Sequence, residues 1–220
     1  MAAPIFKFKN IRVKLNSTNE TLIYAVDIGR GLNGLDIGVL PEEVSSVILT
    51  VQCANTLGYV QDKEITSFTN TGDWLDVADA SDLVPGMAVS FRGISYESIE
   101  LGRTYYITSV DTSGVNNRFT ISESFGGSTF PISGAAITPG DEIYMDIDSG
   151  VNVTAKVKDL LTQTDTVLVK DYSIPPSNAF DPLNGNLVLS SKLALYVSAN
   201  IPGYVEVVVS LLEIANATAT

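Results

Sequence analysis

Histidine is absent from this chain of 220 residues, and cysteine occurs once. Histidine is the commonest general base near neutral pH and the commonest metal ligand, so its absence excludes the usual nucleophilic triads and most zinc sites. Cys53 has no partner for an intramolecular disulfide and lies in the apolar run 47–54. We therefore expect Cys53 to be a small buried side chain, and we predict no catalytic residue, no metal and no cofactor.

Long apolar runs and an excess of positive charge are also missing. No stretch approaches the roughly 18 uninterrupted apolar residues of a membrane span, and residues 1–7 lack the pattern of a signal peptide. The formal net charge is −12, whereas a protein that binds phosphate backbones needs a basic surface. We expect no export signal, no membrane insertion and no nucleic-acid partner.

Amphipathic helical periodicity is almost absent, and alternating β-rich segments take its place. In the first segment Ile11, Val13 and Leu15 alternate with Arg12 and Lys14, as a half-buried strand requires. Eleven or twelve such segments are separated by turn residues, at 11–15, 21–28, 44–54, 87–92, 104–110, 118–122, 142–147, 151–157, 166–171, 186–189, 192–197 and 204–214. The pattern predicts an all-β protein built of sandwiches or barrels, not a βαβ fold. The fold class that we expect is an antiparallel, jelly-roll-like β-sandwich.

Charge is unevenly distributed along the chain. Residues 58–147 carry four basic and thirteen acidic residues, which is −9 of the net −12, and eleven of the eighteen aromatic residues. A domain inserted into a surface loop costs little loop-closure entropy. We predict a discontinuous β-sandwich for docking and oligomerisation, residues 1–57 and 148–220, interrupted by an acidic, aromatic-rich, small β-barrel-like domain.

Two motifs invite a ligand-binding interpretation. Residues 29–34 match G-x-G-x-x-G, but a dinucleotide site needs a helix directly after the glycines, and Gly38 and Pro41 interrupt this one. A glycine-rich loop is the better interpretation.

The second motif is an acidic series that recurs every third residue, unlike the ligands of an EF-hand loop. We expect solvated turn acids there, with a calcium site as the alternative, at Asp73, Asp76, Asp79 and Asp82.

Aromatic residues of the middle segment allow two interpretations. They can form the core of an all-β domain, or they can stack on sugar rings at its surface. The candidates for binding a surface ligand are Trp74, Tyr96, Tyr105 and Tyr106.

Basic residues are concentrated near the N-terminus, where four of the thirteen lie within eight positions. Such a strand is either an edge protected by charge or a docking arm for an acidic neighbour. The candidates for assembly and docking are Lys7, Lys9, Arg12 and Lys14.

Two sets of segments carry a family resemblance. The outer segments 21–27, 44–56, 151–157 and 187–214 resemble small β-sandwich virion structural proteins of tailed phages, especially marine and cyanobacterial ones. The middle segments resemble a module of phage fibre and other virion proteins, at 83–91, 102–110 and 118–124. A turn at Pro85-Gly86 precedes a strand there, and aromatic residues can pack a small barrel.

The resemblance implies a non-enzymatic accessory or decoration protein of the capsid, neck or tail. Its location is then the virion, assembled in the host cytoplasm, and its partners are other virion proteins and itself, as a trimer or another cyclic homo-oligomer. The alternative is a module of a tail or head fibre that binds carbohydrate or the host surface.

Overall fold

The computed structural model describes residues 5–26, 44–69, 71–94, 96, 98–133, 142–190 and 192–215. Within these ranges there are fifteen strands and no helix, so no described helix is long and apolar enough to cross a membrane. The glycine-rich motif at 29–34 lies outside the described residues. The strands are β1 (Ile5–Leu15), β2 (Thr21–Ala25), β3 (Val44–Asn55), β4 (Lys63–Thr69), β5 (Trp74–Val77), β6 (Ala88–Gly93), β7 (Thr104–Asp111), β8 (Arg118–Ser122), β9 (Ile143–Asp148), β10 (Val151–Asp159), β11 (Asp165–Ile174), β12 (Ala179–Phe180), β13 (Leu187–Ser190), β14 (Leu193–Ala199) and β15 (Val205–Ala215).

The chain divides into two compact units, and the first is Met1–Leu57 together with Val151–Thr220. It is a sandwich of two antiparallel sheets. Sheet A has the order β1-β15-β3-β12, with β13 also paired to β3, and sheet B has the order β11-β10-β14-β2. The predicted all-β class and antiparallel sandwich are confirmed.

Strand alternation explains the core of the sandwich. Every second residue of β15 is buried from Val205 to Leu211, and β10 alternates in the same way from Val151 to Ala155. Each fully buried Val, Leu or Ile stabilises the fold by about 1.5–3 kcal/mol. The inner faces contribute Leu15, Val47, Leu49, Val51, Val205, Val207, Val209 and Leu211 from sheet A, and Ile23, Val153, Ala155, Leu195 and Val197 from sheet B.

The second unit, Gly58–Gly150, is a closed barrel of six strands in the order β4-β5-β8-β7-β6-β9. Closure leaves no unpaired edge. Its centre is aromatic, since Tyr105 packs edge-on against Phe91 and Phe130, with ring centroids 5.7 and 5.4 Å apart. The predicted barrel-like insert is confirmed.

The two units divide at 57/58 and at 150/151. The second division follows β9, because Asp148 is still paired with Ala88 of β6 in the barrel. The docking, oligomerisation and ligand-binding roles expected of the units stay predictions.

Two members of the acidic series at 73–82 are bonded within the barrel more than solvated turn acids would be, whereas Asp79 and Asp82 are exposed. Asp76 lies inside β5, where its carboxylate accepts hydrogen bonds from the hydroxyls of Ser67 and Thr69. Asp73 accepts a backbone hydrogen bond from Ile132 at 2.9 Å. These carboxylates therefore fix the β4–β5 hairpin and the segment after β8.

Candidate assembly surface

Strand β1 lies at one edge of sheet A and pairs with β15 along its whole length. The pairing runs without a bulge from Ile5 opposite Ala215 to Leu15 opposite Val205. A long, regular edge strand offers a row of backbone groups to another chain unless charged side chains protect it.

The four predicted docking residues do not share one face of β1. Because side chains alternate along a strand, Lys7 and Lys9 lie on the side of the buried Leu15, whereas Arg12 and Lys14 lie on the outer face. The Lys9 ammonium is 2.8 Å from a Glu213 oxygen. The structure therefore does not form one basic patch from the four residues, and their role in docking stays a prediction.

Arg12 also has an acidic neighbour on β15. Its Nε lies 2.9 Å from Oε1 of Glu206 on the outer face of sheet A. Two of the four cations are thus neutralised by carboxylates of the adjacent strand, whereas Lys7 and Lys14 are exposed.

Glu213 joins the two sheets through a buried carboxylate. Only 5% of Glu213 is exposed, and its Oε1 accepts hydrogen bonds from Lys9 and, at 2.9 Å, from the hydroxyl of Tyr24 in β2. Burial raises the pKa of Tyr24, and the hydrogen bond to Glu213 and its charge raise it further. This network was not predicted from the sequence. Its signal is a glutamate at an inward position of an otherwise apolar strand.

The outer face of sheet A carries six neighbouring apolar side chains, which we name the apolar patch. They come from four paired strands, and three of them, Phe6, Phe8 and Val188, are 55%, 82% and 59% exposed. This surface was not predicted from the sequence. The members of the apolar patch are Phe6, Phe8, Ile48, Val188, Leu212 and Ile214.

Tyr105 is not available to a surface ligand. Its side chain is fully buried in the barrel, and its hydroxyl accepts a hydrogen bond from the backbone N–H of Glu100 at 3.0 Å. The prediction that Tyr105 binds a surface ligand is therefore wrong, because the ring fills the aromatic centre of the barrel.

The other three aromatic candidates are half-buried at the barrel surface. The guanidinium carbon of Arg118 lies 4.7 Å from the ring centroid of Trp74. Tyr96 stacks on Phe68 with ring centroids 4.0 Å apart. Tyr106 lies on β7 and contributes one more partly exposed ring. Neighbouring side chains already contact the Trp74 and Tyr96 rings, which reduces the ring area offered to a sugar.

Reactive groups in the described part of the chain are few. No three or more Cys, Asp or Glu side chains gather there in a way that could hold a metal ion. Cys53 is fully buried, and burial, with a smaller contribution from the charge of Asp181, raises its pKa to about 12. The pKa of Asp111 is well below its ordinary value, first because Ser113 donates hydrogen bonds to it and then because Arg118 does.

No protein-family model matches the chain. No curated protein matches it either. Among solved structures there is a weak resemblance to the VP16-VP17 complex, a complex of the two major capsid proteins of bacteriophage P23-77. The TM-score is 0.25, with 10% sequence identity over 95% of this chain and 99% of the other.

Proposed function

We propose that the protein is a non-enzymatic structural component of a phage virion, an accessory or decoration protein of the capsid, neck or tail. The observation that carries the structural role is the apolar patch, because the largest exposed apolar patch of a chain is often a functional contact surface. The virion as its location is supported by the resemblance of the outer and middle sequence segments to virion proteins.

The two units have different tasks in this proposal. The sandwich docks on other virion proteins and self-associates through sheet A, where the apolar patch and the exposed Lys7 and Lys14 lie. The barrel, with its excess of acidic residues, faces solvent on the particle. A high net charge of one sign keeps such a surface soluble and limits non-specific contacts.

Mass spectrometry of particles purified on a density gradient tests this proposal. The chain should remain with the particles at a constant ratio to the major capsid protein through repeated purification. Host proteins that contaminate the preparation serve as the control, because their ratio falls at each step. A chain that is lost together with the host proteins would contradict a virion role.

Cryo-electron microscopy of the same particles then gives the position. Density for the sandwich in a continuous contact with the shell would identify a decoration protein, whereas a ring at the portal end would identify a neck or tail component. Neither the sheet pairing nor the burial of the sandwich depends on that position, so the map alone decides it.

Carbohydrate binding by the barrel is the second candidate. It is favoured by the half-buried rings of Trp74, Tyr96 and Tyr106 at the barrel surface. A glycan array probed with the whole chain tests it, and Tyr106→Ala should remove any signal. Absence of signal at millimolar sugar would leave only the structural role.

A further inference from the structure

We infer that a second copy of this chain covers the apolar patch, so that two molecules pack the outer faces of their A sheets together around a two-fold axis. The inference rests on the proposed self-association and specifies the surface that makes it.

The strand register places the patch in two parallel rows. Across the four strands β1, β15, β3 and β13, one row is Phe8, Leu212, Ile48 and Val188. The adjacent row is Phe6, Ile214, Ser46 and Ser190. Directly paired residues in antiparallel strands point to the same face, with their Cβ atoms about 5 Å apart. The six apolar side chains therefore form one continuous surface.

The central strands of sheet A have apolar residues on both faces. In β15, Val207, Val209 and Leu211 are buried inside the sandwich, while Val208 and Leu212 point outward. A strand with one solvated face alternates between apolar and polar residues, and a continuous apolar run is typical of a strand covered on both sides. The end of the outer face that carries the apolar patch therefore has the composition of a face that another layer covers.

The size of the apolar patch fits the core of an interface. An exposed phenylalanine offers about 200 Å², so Phe6 and Phe8 together expose about 270 Å². With Val188 and the three partly exposed residues the patch reaches about 450 Å², within the range of functional patches on single chains. A stable interface buries about 800 Å² on each partner. The patch is thus the apolar core, and the polar residues around it supply the rim.

Charge favours a face-to-face contact of two copies. The two rows, and the next row of Asn10, Ser210 and Thr50, contain no charged side chain. Chains that each carry a net charge of −12 repel one another least where their contacting faces are neutral. Pairing of two β1 edges is disfavoured instead, because it would align basic strands side by side.

A two-fold contact also satisfies the geometry of the patch. In an isologous contact the same surface is used on both molecules, so an apolar surface meets an equal apolar surface. Sheets pack face to face about 10 Å apart, as the inner faces of β-sandwiches do. The cyclic oligomer expected from the sequence is therefore a dimer in this inference.

Sedimentation velocity and light scattering of the whole chain test the inference. The wild type should have twice the chain mass of 23.5 kDa. The double substitution Phe6→Ser and Phe8→Ser should raise the dissociation constant at least about 100-fold, since buried aromatic residues dominate interface energies. Val115→Ser is the matched control, because Val115 is an apolar residue of the barrel that is 97% exposed.

A second variant keeps the test valid if the first variant misfolds. Val188→Glu places a carboxylate on the patch of each copy from a different strand, and it should also give monomers. Circular dichroism must show wild-type β-structure in both variants.

The possible results distinguish three claims, namely the contact through the apolar patch, self-association and the virion role. Monomeric patch variants beside a dimeric Val115→Ser chain would support the inference. Oligomers that persist in both patch variants would overturn the inference and leave self-association standing. A wild type that stays monomeric at about 100 µM, far above a micromolar dissociation constant, would overturn both, even if another virion protein binds the patch. Loss of the chain from purified particles would instead refute the virion role alone.

Discussion

Replacing Glu213 by alanine should destabilise the sandwich more than any comparable change on the surface of β15. The substitution removes the acceptor shared by Tyr24 and Lys9, at 2.9 and 2.8 Å. Tyr24 then keeps a buried hydroxyl without this partner, whereas Lys9 is 32% exposed and can be solvated.

The magnitude follows from these two contacts. A hydrogen bond to a charged group contributes about 1.5–3 kcal/mol. The partly exposed ion pair with Lys9 adds about 0–1 kcal/mol. We expect Glu213→Ala to lower the free energy of unfolding by about 2–4 kcal/mol. The control is Glu206→Ala, which removes the solvent-exposed pair with Arg12 and should cost less than about 1 kcal/mol.

Urea unfolding followed by circular dichroism provides the assay. With a slope of about 2 kcal/mol per M, Glu213→Ala should shift the midpoint by about 1–2 M. Tyr24→Phe combined with Glu213→Ala should cost about 1–2 kcal/mol less than the sum of the single changes, because both remove one hydrogen bond. A midpoint for Glu213→Ala that equals that of Glu206→Ala would refute the reasoning.

The raised pKa of Tyr24 adds a pH dependence to the same experiment. A proton that the folded state holds more tightly stabilises the fold fully below the ordinary pKa of 10.0, and this stabilisation is lost as the pH rises above it. Tyr24→Phe should therefore reduce the loss of stability between pH 10 and 12. An unchanged alkaline profile would contradict this assignment.

Three further predictions concern other parts of the chain. With a pKa of about 12, Cys53 should react with a thiol reagent at pH 8 at least about 1,000-fold more slowly in the native protein than in urea, and equal rates would show that it is accessible. Gly93→Ala should lower the free energy of unfolding of the barrel, followed by Trp fluorescence, by more than about 3 kcal/mol, because the added Cβ would overlap the carbonyl oxygen of Glu142. The control is Gly114→Ala, whose added Cβ has no atom within 4 Å and which should cost about 1 kcal/mol. The lowered pKa of Asp111 stabilises the fold at pH values above the ordinary pKa of 3.8, and this contribution is lost as the pH falls. Asp111→Asn should therefore be less stable than wild type at pH 6 and should lose less stability between pH 4 and 2. Parallel acid-unfolding curves for the two proteins would contradict the last expectation.

Alternation predicted most strands of both units, and its failures have physical causes. Strand β4 was missed because only Ile65 of its seven residues is buried, so no alternation shows. Strand β5 was missed because it lies within the acidic series, which indicates a turn. The hydroxyl groups of β4 that donate hydrogen bonds to Asp76 cannot be inferred from the local sequence. Strand β12 has only two residues and is defined by its pairing with β3. Segments that depend on partners distant in sequence cannot be read from local periodicity.

The candidate surface was predicted only in part, because the alternation of apolar residues along β1 shifts by one position within the strand. Apolar residues occupy even positions at Phe6 and Phe8 but odd positions at Ile11 and Val13. A bulge would bring all of them inside, yet the pairing with β15 has none. The phenylalanines therefore face solvent, and Lys9 turns toward the interior. The concentration of basic residues indicated strand β1, but it does not show on which face of the sheet each residue lies.

The pairing of β1 with β15 fixes the order in which the chain can fold during synthesis. Strand β15 lies between β1 and β3, so sheet A cannot be completed until residues 205–215 have left the ribosome. Among the described residues the barrel strands pair only with one another, and they can close about sixty residues of synthesis earlier, since β9 ends at Asp148. Until β15 arrives, β1 and β3 are open edges over apolar faces, and the nascent sandwich needs protection from aggregation.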